Sequence, residues 1–186
     1  MPGPVRSFRI KELGGIHRAG SGRHLELVAI GNAFHRLQRR AVAEAAFRWI
    51  APGGHLALLW SNPPWIGSAA WQRALAETKD YWTRQAQATE RVPVSWDQAM
   101  EEEPHTAILA AAGFTSVGAF DFSIPHEWTV ETLTGFLYST SVLSREALGP
   151  HVQAFEDDLR ERLMAVEPEA GLRQEIHFSY DLLRHP

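Results

Sequence analysis

The chain has 186 residues, 45% of them hydrophobic and 22% charged, which excludes the charge-rich, aromatic-poor composition of a disordered polypeptide and suffices for one domain with a full core. A formal charge of -4 argues against a general nucleic-acid binder, which needs many lysines and arginines to neutralise phosphates. Cysteine is absent, so disulfides, thiol nucleophiles and cysteine-ligated metal centres are ruled out.

No apolar run is long enough to cross a bilayer, and no leader-like segment follows Met1, so the expectation is a cytoplasmic protein without a membrane partner. Residues 1–24 read as a strand and loop segment: Val5 to Ile10 as a short strand, then Lys11-Glu12-Leu13, then a glycine-rich loop to Arg23. Residues 25–186 read as a single α/β domain. Leu25 to Ile30 is nearly continuous in apolar residues and closed by Gly31, the pattern of a strand covered on both faces. Gln38 to Ala51 carries the spacing of a helix, with Val42, Ala45, Trp49 and Ile50 on one side, and Pro52-Gly53-Gly54 stops it. His55 to Trp60 is a second buried-type strand, and the length of the crossover suits parallel pairing of the two strands.

After Ser61-Asn62-Pro63-Pro64, the spacing of Trp71, Leu75, Thr78 and Trp82 predicts a helix from Ser68 to Arg84. Residues 85–103 are polar, with Glu101-Glu102-Glu103 as a solvated helix start or loop. Pro104 suits the first position of a short helix to Ala112, and Gly113 supplies its left-handed stop. Phe114 to Ile124 alternates as a strand, with Gly118, Phe120, Phe122 and Ile124 on one side. Thr129 caps a helix to Thr140, and Ser144 or Gly149 opens a longer one through Val166. Ile176, Phe178, Tyr180 and Leu182 alternate as a closing strand.

Nine histidines invite a metal reading, but none pairs at helical spacing around a glutamate, so no metal is expected. No Gly-x-Ser-x-Gly elbow is present, and Gly20-Ser21-Gly22 precedes a strand, whereas a phosphate cradle follows one. Gly31 to Leu37 does leave the carboxyl end of a parallel strand, the edge where open α/β sheets bind ligands. His35 there can hydrogen-bond or move a proton near neutral pH; the alternative is that Phe34 packs and His35 caps the next helix. Trp60 and Trp65 flank Asn62 at the equivalent edge of the next strand and could line an apolar cleft, with Trp60 as core the alternative. Trp128 and Tyr138 join that cleft if the helix from Thr129 lies over it, and are otherwise core aromatics.

The segments Leu27-Val28-Ala29-Ile30-Gly31-Asn32-Ala33-Phe34-His35-Arg36 and Ala51-Pro52-Gly53-Gly54-His55-Leu56-Ala57-Leu58-Leu59-Trp60 resemble the fourth and fifth strands, with their loops, of small-molecule class I S-adenosylmethionine-dependent methyltransferases. Glu127-Trp128-Thr129-Val130, Leu137-Tyr138-Ser139-Thr140-Ser141 and Ile176-His177-Phe178-Ser179-Tyr180 are similar to the C-terminal part of a bacterial branch, so the resemblance runs from residue 25 to 183. Arg9-Ile10-Lys11-Glu12-Leu13 is faintly similar to the third strand and the acidic adenine loop.

This resemblance implies an α/β, truncated Rossmann-like sheet of strands 4-5-7-6 with helices, to which Val5 to Ile10 would add an N-terminal strand. It implies S-adenosylmethionine as cofactor, with Asn32, Ala33, Phe34 and Glu12 toward it, and His35 as catalytic base or orienting residue. Trp60, Asn62, Trp65, Trp128 and Tyr138 would face a small-molecule substrate. The family's glycine loop after the first strand and its acid after the second have no counterpart, so the cofactor site is expected to be incomplete. Two alternatives stay open: a non-methylating derivative that uses the fold for binding, assembly or another reaction, and a native chain that starts further upstream. Without the first two strands, Leu25 to Ile30 becomes an exposed edge, expected to pair with Val5 to Ile10 or with a second copy in a homodimer.

Overall fold

A computed structural model describes residues 25–89, 95–169 and 171–186. The expectations for Val5 to Ile10 and for Glu12 lie outside the described residues. Strand β1 (Leu25–Gly31) runs through a short 3-10 turn at Phe34–Arg36 into α1 (Arg39–Trp49) and returns as β2 (Ile50–Ser61). β1 and β2 pair in parallel, so the strand–helix–strand unit forms as its pattern predicts. The turn at Pro52-Gly53-Gly54 lies inside β2: Leu25 pairs with Ile50 and Leu27 with His55, so two steps along β1 match five along β2. Glycine is required at residue 54, because a Cβ there would stand 2.9 Å from the Glu26 carbonyl oxygen.

From β2 the chain passes through α2 (Ala70–Gln85), α3 (Trp96–Glu102) and α4 (His105–Ala111) to β3 (Thr115–Trp128). Helices α5 (Val130–Tyr138), α6 (Arg145–Leu148) and α7 (Val152–Val166) then lead to β4 (Leu172–Arg184). β4 inserts between β2 and β3 and is antiparallel to both, giving the order β1-β2-β4-β3. That is the 4-5-7-6 arrangement implied by the resemblance, and the fold class stands as expected.

Two hydrophobic clusters hold these elements. On one face of the sheet, Ala43 and Ala46 of α1 and Ile108 and Leu109 of α4 bury against Leu56, Leu58 and Leu183. The second cluster joins α2, α5, α6 and α7 through Leu75, Leu133, Leu137, Leu148, Phe155, Leu159 and Leu163, with Leu172 of β4 at its base. Trp82 packs in that cluster and still satisfies its indole N–H, which donates to Asp158 at 2.8 Å. Arg39 fastens α3 to α1 by donating to the carbonyls of Ala99 at 2.9 Å and Glu103 at 2.6 Å.

Three local expectations are corrected. The acidic run closes α3, whose start is capped by Ser95. The long helix expected to Val166 is two helices: Ser144 caps α6, and Gly149, at φ +52°, ends it before a 3-10 turn leads into α7. Among the described residues β1 is covered on one face only. Val28 and Ile30 pack toward α1 and α4, while Leu27 is 57% exposed.

The reason extends across the whole sheet. Leu27 and Ala29 share a face with Ala57 and Leu59 of β2, with Leu182, Tyr180, Phe178 and Ile176 of β4, and with Gly118, Phe120, Phe122 and Ile124 of β3. The alternation of β3 and β4 is therefore as predicted. Among the described residues no helix lies over the part of this face between Leu27 and Ile124, and Phe120, Phe122 and Ile124 are each more than two-fifths exposed.

Candidate functional site

The carboxyl ends of β1 and β2 finish side by side, and polar side chains link them to β4 and β3. Asn32 leaves β1 in the left-handed region at φ +47°, a conformation that an asparagine tolerates better than most residues. Its backbone N–H donates to the Leu59 carbonyl at 2.8 Å, and its side chain exchanges hydrogen bonds with Ser61. One residue on, the Asn62 side-chain oxygen accepts from the His177 N–H at 2.7 Å, while the Asn62 N–H donates to the His177 carbonyl at 3.2 Å. His177 Nδ1 meets the Ser123 hydroxyl at 2.6 Å on the neighbouring strand. Asn32, Ser61, Asn62, His177 and Ser123 thus form a polar line across all four strands. Asn62 is accounted for by strand-end fastening, and nothing in its contacts points it at a ligand.

Ala33 is half-buried, and Phe34 is buried in the core beside Leu56 and Ile108. His35, half-buried in the turn that follows, accepts from Arg36 Nε at 3.2 Å through Nε2. Burial first, then the nearby charges of Arg36 and Arg39, hold its imidazole below the ordinary histidine range. The ring is neutral near pH 7 and able to take up a proton once the Arg36 contact yields. It does not cap α1: Gln38 occupies that position, without a side-chain capping bond.

The aromatic candidates separate into three places. Trp60 lies on the helix-covered face, its ring edge-on to His105 at 5.6 Å between centroids. Trp65 and Trp128 converge on Phe136 of α5, at 5.8 and 5.6 Å. Gln174 ties this group to the strand end, accepting from the Trp128 indole at 2.8 Å and donating to the Pro63 carbonyl at 3.4 Å. His126 stands against Trp128 at 4.4 Å, and Lys79 lies over Trp65 at 5.5 Å. These rings make an aromatic wall beside the polar line, suited to a flat or apolar ligand. Tyr138 sits elsewhere, between α5 and α7, packed on Phe155 at 5.8 Å and donating to Glu156 at 2.5 Å beneath Arg145. Burial, followed by that bond, pushes its hydroxyl up to about 12.

One constellation has no precedent in the sequence reading. His105, 4% exposed at the start of α4, brings Nε2 within 2.5 Å of Asp181 in β4. Its other ring nitrogen faces Met100 sulfur at 2.6 Å, and Trp60 closes the side. The pattern hides it, because Asp181 alternates in step with Glu175, His177 and Ser179 and so reads as one more solvated residue of the strand.

For S-adenosylmethionine the fit is partial. The end of β1 offers backbone groups, Ala33 and His35, but Phe34 is committed to the core and the Asn32 amide to Ser61. Among the described residues neither β1 nor β2 ends in a carboxylate that could receive ribose hydroxyls. Among the described residues, too, no three His, Asp or Glu side chains gather as metal ligands, and no helix is long and apolar enough to cross a membrane.

No family model and no curated protein sequence matches the chain. Solved structures do. A candidate type II methyltransferase from Anaeromyxobacter dehalogenans is 12% identical at a TM-score of 0.50, with 86% of this chain covering 63% of that one. A candidate methyltransferase from Bacillus halodurans C-125 is 14% identical at a TM-score of 0.41, over 88% of this chain and 65% of its own. The 4+2 cyclase SpnF is 12% identical at a TM-score of 0.40, over 88% and 52%. The chain therefore spans between about half and two thirds of these structures. What it shares with the Anaeromyxobacter structure is the α/β fold.

Proposed function

We propose that the chain is a methyltransferase-like protein that takes a small-molecule substrate at the end of the sheet where β1 and β2 finish. The observation that carries this reading is the strand order β1-β2-β4-β3, with a parallel first pair and an antiparallel inserted strand, shared as a fold with the Anaeromyxobacter protein. In this reading Ala33 and the backbone beside Asn32 face the cofactor, S-adenosylmethionine, which would supply the methyl group. His35 orients the acceptor or takes its proton, being neutral near pH 7. Trp65 and Trp128, joined by Phe136, wall the substrate side. Direct displacement depends chiefly on alignment of nucleophile, methyl and sulfonium, so positioning is what these residues have to contribute. The protein works in the cytoplasm, and its partner is a second copy, with strand β1 in the contact.

A second reading is favoured by one observation: Phe34 and the Asn32 amide, both expected to face the cofactor, are used by the fold itself. On that reading the chain is a non-methylating derivative, and the aromatic wall serves binding or another reaction. Isothermal titration with S-adenosylmethionine separates the two. Saturable heat, weakened by Ala33→Trp, supports the methyltransferase-like reading; no heat at millimolar cofactor removes it and leaves the second.

A further inference from the structure

We infer that the second copy seats on the bare face of the sheet, sheet against sheet, and that it does not extend β1 edge to edge. This rests on the assembly part of the reading above and names the surface it uses. Phe120 stacks on Tyr180 at 4.9 Å and Phe122 on Phe178 at 5.3 Å, so the rings turn their flat sides to each other and present edges outward. Such a surface suits close packing by apolar side chains, whereas a base or another flat ring would need an open ring face.

The area decides the occupant. Leu27 is 57% exposed, Leu59 39%, Phe120 43%, Phe122 48% and Ile124 47%. At roughly 200 Å² for a large side chain, these five and their half-buried neighbours leave on the order of 600 Å² of apolar surface open on one copy. Two copies meeting there bury about 1,200 Å², the lower bound of a specific stable interface. His55 and Arg184 share the row of Leu27 and border the patch at that end; from Ala29 to Ile124 no charged side chain lies on the face, so this part asks for no complementary charge and can match itself across a two-fold axis. Edge pairing does less. A two-fold axis perpendicular to the sheet would join two β1 strands into one larger sheet and place both bare faces on the same side, still open.

Light scattering after size exclusion, applied to the wild-type chain and to Phe120→Lys/Phe122→Lys, tests this. The expected result is a wild-type dimer whose dissociation constant rises more than about 100-fold in the double variant, with far-UV circular dichroism unchanged. Hydroxyl-radical footprinting of the wild type needs no substitution: Phe120 and Phe122 should be protected when concentrated and labelled on dilution. A wild-type monomer overturns both the inference and the assembly on which it rests, and assigns the face to another polypeptide or to residues 1–24. A dimer that keeps Phe120 and Phe122 labelled, or that is indifferent to the double variant, overturns the inference alone and returns the contact to the β1 edge.

Discussion

Asn32 and Ser61 hold each other twice: the Ser61 N–H donates to Asn32 Oδ1 at 3.0 Å, and Asn32 Nδ2 donates to the Ser61 hydroxyl at 3.1 Å. The pair locks the ends of two parallel strands, and it does so from a residue at φ +47°. Asn32→Gly should lose both bonds while keeping the backbone relaxed, at a cost of about 1 kcal/mol. Asn32→Ala should lose the same bonds and add the left-handed penalty, about 1 kcal/mol more. Urea denaturation of the two variants measures the difference, and an alanine variant as stable as the glycine one would show that the backbone carries no penalty here.

Asp181 faces a histidine that is almost fully buried. Replacing it with alanine leaves His105 without its carboxylate in a site closed by Met100 and Trp60, and should cost about 3 kcal/mol. Asp181→Asn, which keeps an acceptor toward Nε2, should cost less. Thermal melts of the two variants give the order, and equal losses would mean that packing, with no contribution from the hydrogen bond, sets the cost.

The pH behaviour of His35 has a definite sign. Its folded state binds a proton less readily than the unfolded chain, so its contribution to stability is present above the unfolded histidine range near 6.5 and is lost as pH falls through that value toward the folded one. An NMR titration of the His35 ring should give a midpoint below 6.5, and Arg36→Ala should move it upward by removing one of the positive neighbours. Arg39→Ala should act in the same direction but more weakly, since the charge of Arg36 is the larger influence. A midpoint unmoved by either substitution would leave burial as the whole cause.

Tyr138 shows the opposite displacement. Its hydroxyl ionises at about 12, so the folded state resists losing the proton, and this contribution fades as pH rises from the unfolded value of 10 through 12. Ultraviolet difference titration should show a late transition that is lost in Tyr138→Phe, and Glu156→Gln should bring it earlier by removing the carboxylate that the hydroxyl donates to.

Much of the fold was legible because the relevant signals are local. The apolar runs Leu25 to Ile30 and His55 to Trp60, separated by a helical spacing, specify a parallel unit whatever surrounds it. The left-handed stops at Gly113 and Gly149 are single-residue properties, although only the structure shows that Gly149 ends a helix where the pattern allowed it to open one. What sequence could not show is which apolar side chains find a cover. Phe120 and Leu58 read alike as strand residues, yet one is 43% exposed and the other is buried under α1 and α4. The same limit applies to the site. Trp65 and Trp128 come together only because α5 folds back between them, and Tyr138, ten residues beyond Trp128 in the chain, turns instead toward Phe155 and Glu156 of α7. The contact between His105 and Asp181 joins residues 76 apart and has no local signature.

The position of β4 governs how this molecule can be made. It follows every other described element in the chain, yet it lies in the middle of the sheet, with Leu172 in one hydrophobic cluster and Leu183 in the other. β2 and β3 are joined into one sheet only through it. During synthesis the β1–β2 unit can form early, but β3 must wait with its phenylalanines unpaired while the ribosome adds more than forty further residues. The sheet closes only in a late, long-range step, which sets a slow rate and leaves a nascent chain that chaperones would recognise by its aromatic strand.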